Sequence, residues 1–367
     1  MKGPSDDVMG EVHKPKSSEP VNVVSDTSAT ATTTTTTHSI NAFFHDDDDD
    51  DDLFEEESKS KQTTDVMMDL YEQDLPGEVA AAPGLMTTEE PKLGHFEKKE
   101  KKRIQKDPEK LKAFEERIQK RANDARIKQT QEKLAYLDKL GKEHHNMFAE
   151  ATPIYEAVQK DVEDGLDSLR IYTAQYYKNM NDGLRFGKWQ RYAESTPKFF
   201  CEQTVNAIKA LNHEKCRVKT DLSVRRDMDM KGLMAMFGLQ STGDVDQDVN
   251  TILSQSHLDD GTRILHDKGF LSTTMRQSGE DRFKKNVICR ILVPKGTTGL
   301  FVGGISVNTA EGELLLQANT KHRLLKVEKH HPPDSVPLVV YMEAIPGNVF
   351  SKEKIEAMER RAQAMAD

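Results

Sequence analysis

Two glutamates separated by one residue stand where a turn-like stretch runs into an apolar run. Glu311 and Glu313 flank Gly312, and Leu314–Leu316 follow. In an extended segment the side chains at i and i+2 share a face, so both carboxylates can point into one cleft. There each carboxylate raises the proton affinity of the other, and their roles can diverge. The same spacing also fits a solvated strand edge, because Glu-x-Glu arises by chance in an acidic chain.

Two further motifs precede the glutamates, each at the end of a strand-like run. Ser223–Asp227 contains the adjacent Arg225 and Arg226, and Gly269–Thr274 contains Ser272. A guanidinium binds phosphate through two parallel, charge-assisted hydrogen bonds, and a small hydroxyl can hold a carboxylate in a narrow cleft. Neighbouring side chains of a strand face opposite ways, so only one of the two arginines should reach a shared cleft.

The order Arg, Ser-Thr-Thr, Glu-x-Glu resembles the arginine-serine-glutamate class of mono-ADP-ribosyltransferases. This exoenzyme type includes the enzymatic subunits of actin-modifying clostridial toxins and phage enzymes that modify host proteins. Leu169–Arg185 resembles the opening helix of the family, and Ile291–Gly299 resembles its strand and turn after the serine motif. The resemblance covers residues 150–347. It implies a β-sandwich that holds NAD, the substrate, in a cleft between two sheets, and it implies no metal.

By this resemblance the catalytic residues are Arg225, Ser272, Glu311 and Glu313. Cleavage of the bond between nicotinamide and ribose develops an oxocarbenium ion, which a nearby carboxylate stabilises as the charge forms. The resemblance gives this role to Glu313, and gives Ser272 the role of holding the glutamate in place. The first arginine of the family's pattern binds the dinucleotide phosphates, which favours Arg225 and leaves Arg226 to assist from the rim.

The resemblance also implies NAD-binding positions outside these motifs. Tyr172, Tyr177 and Asn181 match positions that line the NAD site, and Phe283 matches an aromatic residue of a mobile loop near the nicotinamide. Core packing explains the tyrosines and the phenylalanine equally well, whereas a buried amide needs hydrogen-bond partners. The toxins carry a basic residue where this chain has Asn286, so a phosphate contact there is in doubt.

Glu311 is the residue that separates the alternative reactions. An arginine guanidinium has a pKa above about 12, so it becomes a nucleophile only beside a carboxylate that orients it and accepts a proton. In the family, Glu-x-Glu accompanies arginine acceptors, whereas Gln-x-Glu accompanies asparagine or other acceptors. We therefore expect transfer of ADP-ribose from NAD to an exposed arginine of a partner protein, and the resemblance suggests actin as one acceptor.

Two alternatives to arginine transfer come from different classes of function. The first is an NAD glycohydrolase, in which water is the acceptor and Glu311 is dispensable. The second is an interaction protein on a non-catalytic transferase fold. Intact Arg225, Ser272 and Glu313 argue against this second alternative.

Composition predicts that the first part of the chain has no fold of its own. Residues 1–93 contain the threonine run Thr32–Thr37, the aspartate run Asp46–Asp52 and the cluster Glu55–Glu57, with few apolar residues in any periodic pattern. Such a segment buries too little apolar surface to offset the entropy of ordering, so we expect disorder. The net charge of -10 argues against a nucleic-acid partner for the whole chain.

Residues 94–149 form a second, charged segment that we expect to be helical. Asp107 reads as an N-cap and Pro108 as the first helical residue. One face repeats apolar residues at helical spacing, namely Leu111, Phe114, Ile118 and Ala122. A solvated, salt-bridged helix and a docking helix for a partner or an acidic surface both fit this pattern.

The remaining residues predict an α+β fold, a transferase-like β-sandwich of two packed sheets with N-terminal helices. We expect helices over 166–184 and 199–211, with Leu166, Leu169, Thr173, Met180 and Leu184 on the buried face and either Tyr176 or Tyr177 beside them. Strands are expected over 218–225, 269–274, 286–293, 300–303, 313–318, 323–327 and 336–343. Residues 348–367 predict a short charged helix that packs loosely or not at all.

Targeting signals and cysteine usage add expectations about location. The polar start of the chain lacks the apolar region of a signal peptide, and no run is long enough to span a membrane. The three cysteines, Cys201, Cys216 and Cys289, are too few and too irregularly spaced for a disulfide framework or a zinc site, and Cys289 should be core. We expect a cytoplasmic protein, or one delivered in a virion or by non-classical secretion.

Overall fold

The computed structural model describes residues 93–142, 147–192, 194–276, 285–307, 309, 312–329 and 336–365. The predicted disordered segment lies outside the described residues except for its last residue. The helices are α1 (His95–Ile104), α2 (Pro108–Leu140), α3 (Met147–Asp161), α4 (Gly165–Ile171), a π-helical segment (Tyr172–Tyr176), α5 (Tyr177–Phe186), α6 (Pro197–Asn212), α7 (Met230–Met236), α8 (Val245–Leu253) and α9 (Lys352–Ala364).

The strands of the described region form one hydrogen-bonded sheet. They are β1 (Leu222–Met228), β2 (Ile264–Asp267), β3 (Leu271–Thr274), β4 (Val287–Val293), β5 (Gly299–Phe301), β6 (Glu313–Leu316), β7 (Thr320–Lys329) and β8 (Leu338–Ala344). Their order is β2-β7-β8-β4-β1-β3-β6-β5. Neighbours are antiparallel except β4 and β8, which are parallel.

At the junction of β1 and β3, Arg225 and Thr274 are register partners. A five-strand half (β2, β7, β8, β4, β1) and a three-strand half (β3, β6, β5) meet there. Buried side chains of both halves share one apolar core, including Val224 and Ile291 from the first half and Leu314 and Leu316 from the second. The sequence predicts an α+β fold with two packed sheets. The mixed α and β structure is confirmed, and the strands of the two expected sheets form one continuous eight-stranded sheet among the described residues.

Helices cover the outer faces of both halves. Leu137 and Leu140, at the end of α2, pack on Leu292 of β4. On the other half, α4, α5 and α6 share a core cluster with Leu315 of β6 and Phe270 at the entry to β3. Alternation along a strand explains this arrangement, because odd and even residues of β6 face opposite sides.

The charged helix α2 begins where the sequence predicts it. The Asp107 side chain accepts a hydrogen bond from the backbone of Lys110, with Pro108 as the first helical residue. Its C-terminal half lies against the sheet: Lys133 pairs with Glu343, and Arg290 of β4 pairs with Asp138. The expected helix is therefore present, and its final turns pack on the sheet instead of being solvated throughout.

Several strand predictions agree with the structure to within a few residues, and others fail. The predicted strand 218–225 is displaced toward the C-terminus, to Leu222–Met228. The short strand β2 and the helices α7 and α8 were not predicted. The segment around α7 is rich in methionine, and β2 is only four residues long. Neither therefore shows a clear helical or strand periodicity of apolar residues.

The prediction that the C-terminal tail packs loosely or not at all is wrong. Helix α9 starts at the N-cap Ser351 and lies against α6. Met358 joins the core cluster that includes Phe350, and Ala362 contacts Cys201. The few apolar residues of the tail are sufficient to bury one helical stripe, and Glu359 beside this stripe pairs with Lys209 of α6.

All three cysteines are buried free thiols in the structure. Cys289 was expected in the core and is fully buried there. Burial raises the pKa of each thiol to about 12, so none has thiolate character at neutral pH. No helix among the described residues is both long and apolar enough to cross a membrane.

Candidate active site

The predicted arginine, threonine and glutamate residues lie in one row across three adjacent strands. Arg225 of β1 pairs with Thr274 of β3, and Thr274 pairs with Glu313 of β6. Register partners in a sheet place their side chains on the same face. Ser272 is two residues from Thr274 along β3 and therefore faces the same side. The fold thus collects three predicted site residues, Arg225, Ser272 and Glu313, on one face at the junction between the halves, with Thr274 between them.

The two adjacent arginines lie on opposite faces of β1. Arg225 donates two hydrogen bonds to Asp227, from Nε at 2.7 Å and from Nη2 at 2.9 Å. Arg226 points to the side of Val224 and Met228, where its Nη1 donates to the Ser272 carbonyl at 2.7 Å. Arg226 thus braces β3 through the Ser272 carbonyl, and its expected contact with the dinucleotide stays a prediction.

The Arg226 guanidinium is not fully satisfied. Its buried Nε has no hydrogen-bond partner among the described residues. A buried donor without an acceptor is uncommon and marks a place where an anionic oxygen would be favourable. Arg225, for its part, still has N–H groups beyond the two that Asp227 occupies.

Glu313 is the first residue of β6 and is only 5% exposed. Its strand is fixed on both sides: the Val302 amide donates to the Glu313 carbonyl, and Thr273 Oγ1 donates to the Leu314 carbonyl at 2.7 Å. Direct pairing places Thr274 opposite the glutamate, while Ser272 is its diagonal neighbour. A buried carboxylate on a rigid strand is the geometry that a positioned charge requires.

The expectation that Glu311 and Glu313 share a face assumes an extended backbone, and Gly312 between them is not extended. Gly312 has φ of 57°, in the left-handed region, and β6 begins only at Glu313. The Gly312 carbonyl accepts a hydrogen bond from the Met275 amide at 3.0 Å, which ties this turn to the end of β3. Glu311 and Phe283 lie outside the described residues, so their positions in the site stay predictions.

The helix beside this face carries two of the predicted NAD-binding residues in a buried pair. Asn181 Nδ2 donates to the Tyr172 hydroxyl at 3.0 Å, and Asn181 Oδ1 accepts from the Phe270 amide at 2.8 Å. Asn181 thus has the partners that a buried amide needs, and it joins the helix to the residue two before Ser272. Burial raises the pKa of the Tyr172 phenol. The charge of Arg226 lowers this pKa and the charge of Glu313 raises it, so both charges lie close to the phenol.

A π-helical segment decides which tyrosine accompanies Tyr172. In a regular α-helix Tyr176, four residues on, would share its side. The π-helix spans Tyr172–Tyr176, and the Tyr177 ring instead meets Tyr172 edge-on at 6.4 Å. Tyr176 turns away toward Phe199 and Phe200. Tyr177 is 55% exposed, so it is not a core residue, and π-helical segments are frequent at functional sites.

A buried ion pair that the sequence analysis missed clamps this helix to the turn before β3. Arg185 Nε and Nη2 each donate to Asp267 at 2.8 Å, and Asp267 Oδ1 also accepts from the Gly269 amide at 2.9 Å. We call Asn181, Arg185, Asp267 and Gly269 the helix clamp. Although burial raises the pKa of Asp267, the contact with Arg185 outweighs it and holds this pKa below its ordinary value.

Gly269 allows the helix clamp to close. A Cβ at this position would lie 2.7 Å from Asn181 Oδ1 and 2.9 Å from Arg185 Nε, closer than real Cβ contacts. The Asp-x-Gly spacing is a turn signal in the sequence. The partner Arg185, however, is 82 residues away, and no local pattern connects the two.

A buried histidine lies next to the helix clamp. His322 of β7 is fully buried, and burial lowers its pKa to about 4 despite the opposing charge of Asp267. No group of three or more His, Cys, Asp or Glu side chains that could hold a metal ion occurs in the described ranges.

Comparison with known proteins gives one family. The family described as ADP-ribosyltransferase exoenzyme matches residues 119–343, more than half of the chain. No protein among those with curated functions matches this sequence.

Several solved structures are similar to part of the chain. Plx2a, an ADP-ribosyltransferase toxin from Paenibacillus larvae, is 22% identical over 53% of this chain and 92% of its own, with a TM-score of 0.42. The ADP-ribosylating toxin BECa of a binary enterotoxin of C. perfringens, with NADH, is 17% identical over 55% of this chain and 49% of its own, with a TM-score of 0.43. The Clostridium limosum C3 exoenzyme is 17% identical over 56% of this chain and 97% of its own, with a TM-score of 0.41.

Proposed function

The chain belongs to the ADP-ribosyltransferase exoenzyme family, with NAD as its substrate, and on this premise we propose that it transfers ADP-ribose to arginine side chains of a partner protein. The observation that carries the proposal is the row Arg225, Thr274 and Glu313 in consecutive register across three strands. This row supports the proposal because a guanidinium that could bind the diphosphate and a buried carboxylate that could face the ribose belong to register-paired residues.

We propose that Glu313 stabilises the reacting ribose. The bond from ribose C1′ to the nicotinamide nitrogen breaks, its electron pair leaves with neutral nicotinamide, and positive charge develops on the ribose. A carboxylate held by a strand that is bonded on both sides stabilises this charge without reorganising. Ser272 and Thr274 share its face and supply hydroxyls that can hold its rotamer.

The dinucleotide would bind between the row and the helix that carries Tyr172. Arg225 is the proposed phosphate ligand, oriented by its two hydrogen bonds to Asp227. The exposed ring of Tyr177 offers an aromatic surface beside the buried pair of Tyr172 and Asn181. Arg226 contributes indirectly, because it holds the Ser272 carbonyl.

Glu311 is the proposed acceptor-activating residue, and Phe283 the proposed loop aromatic. The incoming guanidinium forms a bond from its nitrogen to ribose C1′ and loses one proton, which Glu311 accepts. Without this carboxylate, water remains as a competing nucleophile. Glu311 directly precedes Gly312 in the sequence, and the Gly312 carbonyl accepts a hydrogen bond from the Met275 amide at the end of β3.

The experiment is incubation of the full chain with labelled NAD and a mixed cell lysate, with labelled protein and free nicotinamide as readouts. We expect Glu313→Gln to lower both signals by about a hundredfold or more. Glu311→Gln should remove protein labelling and retain nicotinamide release. Glu132→Gln, a carboxylate substitution on the exposed surface of α2, is the matched control and should change neither.

Mass spectrometry of the labelled peptides then identifies the modified side chain. Label on a residue other than arginine contradicts the acceptor. Nicotinamide release without labelled protein favours the glycohydrolase, and equal loss in both glutamate variants contradicts the division of roles. Arg225→Gln should raise the KM for NAD more than Arg226→Gln, which should mainly lower stability.

A further inference from the structure

Helix α1 precedes the residues that match the family and has two chemically different sides. Its carboxylates both face α2, where Glu97 pairs with Arg121 and Glu100 with Arg117. Lys101 also turns inward, to Glu115 at 3.0 Å. The ion pairs with α2 therefore use both acidic side chains of α1.

The opposite side of α1 carries cations and one apolar ring. Its exposed residues are His95, Phe96, Lys98, Lys99, Lys102, Arg103 and, just past the helix end, Lys106. We call these seven residues the basic face. At 3.6 residues per turn, Phe96, Lys99 and Arg103 fall within an arc of about 60°. Within the described part of the chain, the lysines and the arginine of the basic face make no ion pair.

Phe96 is the most exposed large apolar side chain of the described residues, at 84%. It stands at the edge of the basic face instead of turning toward α2, where Phe114 and Ile118 are buried. Exposure of a phenyl ring to water is unfavourable. On this side of the helix the ring lies beside cationic side chains with flexible stems.

The ion pairs hold α1 on the first half of α2, while the second half of α2 lies on the sheet. From Arg121, which pairs with Glu97, to Thr130, which is buried, the helix rises about 13 Å. Helix α1 is therefore attached to the part of α2 that precedes its contact with the sheet.

We propose that the basic face is a peripheral binding site for an anionic phospholipid surface. Lysine and arginine near such a surface are attracted by its negative potential, and one exposed aromatic side chain inserts among the headgroups. The combination of a charge signal and an apolar signal is what reversible anchoring requires. A nucleic acid or an acidic protein would bind the cations, but neither explains the single exposed aromatic ring on a convex helix that has no groove.

The test is sedimentation of the full chain with vesicles of phosphatidylcholine, with and without phosphatidylserine, at low and high salt. We expect binding only to the vesicles with phosphatidylserine, weakened by salt. Replacing Lys98, Lys99, Lys102 and Arg103 with glutamine should lower the partition coefficient roughly a thousandfold. Phe96→Ser, which leaves all charges in place, should lower it about tenfold.

A matched control removes the same number of charges from exposed positions of α2. Glutamine at Lys112, Lys120, Lys128 and Lys139 should leave binding close to that of the wild type. Thermal unfolding and NAD cleavage should be unchanged in all three variants, since none touches the core or the proposed site. These readouts separate a lost surface from a lost fold.

Three outcomes overturn the proposal. The first is absence of sedimentation with vesicles that contain phosphatidylserine. The second is an equal loss in the control variant, which means that net charge alone decides binding. The third is binding that Phe96→Ser does not change and that heparin or duplex DNA abolishes, which identifies a general polyanion surface instead of a lipid one.

Discussion

The helix clamp and the α1–α2 pair both rest on arginine–carboxylate contacts, but their environments differ. In the helix clamp Arg185 is 22% exposed and Asp267 only 2%, whereas in the helical pair Arg121 is 60% exposed and Glu97 18%. Solvent screens the second contact and not the first. The same kind of contact is therefore expected to contribute strongly to the free energy of unfolding in the helix clamp and little in the α1–α2 pair.

This difference separates the functions of the two regions. In the helix clamp both carboxylate oxygens of Asp267 accept hydrogen bonds, from Arg185 and the Gly269 amide, and they hold the turn before Ser272 against the helix that carries Tyr172. In the helical pair the contacts orient α1 so that its remaining charges face outward. The buried network fixes the packing of one helix against a turn, whereas the exposed network leaves charged side chains in solvent.

Substitution of the buried carboxylate should have the largest effect on stability. Asp267→Asn keeps the shape but leaves the Arg185 guanidinium buried without its counter-charge, so we expect a loss of about 3–5 kcal/mol in the free energy of unfolding. Urea denaturation measures it. Asp167→Asn is the control, because Asp167 pairs with Arg170 on the exposed side of α4 and should cost less than about 1 kcal/mol. Equal losses in the two variants contradict the comparison.

Acid should destabilise the buried region through His322. Its pKa is about 4 in the folded chain against an ordinary value of 6.5, so the unfolded chain binds a proton first. The stability from neutral His322 is complete above pH 6.5 and is lost as pH falls to 4, by up to about 3 kcal/mol. His266 has its pKa lowered by burial and acts in the same direction. Asp267, whose pKa is also lowered, acts only at more acidic pH.

Urea midpoints between pH 7 and pH 4.5 measure this effect, with His322→Gln as the comparison. The variant should show a shallower decline over this range. A decline that is unchanged by the substitution assigns the pH dependence to other groups.

Removal of an exposed ion pair should have the smallest effect. Arg121→Gln breaks the contact with Glu97, and we expect little change in the free energy of unfolding because the Glu97 carboxylate is then hydrated by solvent. A double-mutant cycle with Glu97→Gln measures the coupling, and salt should reduce it further. A coupling as large as that of the helix clamp would show that α1 and α2 are held by more than screened charge.

Local signals in the sequence predicted much of the fold. The N-cap Asp107 with Pro108 located the start of α2, and apolar runs located β4, β6 and β8. The failures occurred where a local period was weak or long-range packing decided the outcome. From its sequence, helix α9 reads as a charged tail. The surface that buries Met358 comes from α6, a separate element that no local pattern connects to the tail.

The site was predictable in its residue types and less so in its arrangement. Side-chain alternation predicted that Arg225 and Arg226 face opposite ways, but not that Arg226 holds the Ser272 carbonyl. Helical periodicity left Tyr176 and Tyr177 as alternatives, because a π-helical segment has no sequence signature of its own. The roles assigned to Arg225, Ser272, Glu311 and Glu313 stay predictions until the variants are measured.

By itself, the sequence determined the family motifs, their order, the charge of each segment and the residues that could act on NAD. Only the tertiary structure decided which face each residue occupies and which distant residue supports it. The reason is physical: alternation and helical periodicity act over a few residues. The pairing of Arg225 with Thr274, Thr274 with Glu313 and Arg185 with Asp267 depends instead on how separate elements pack.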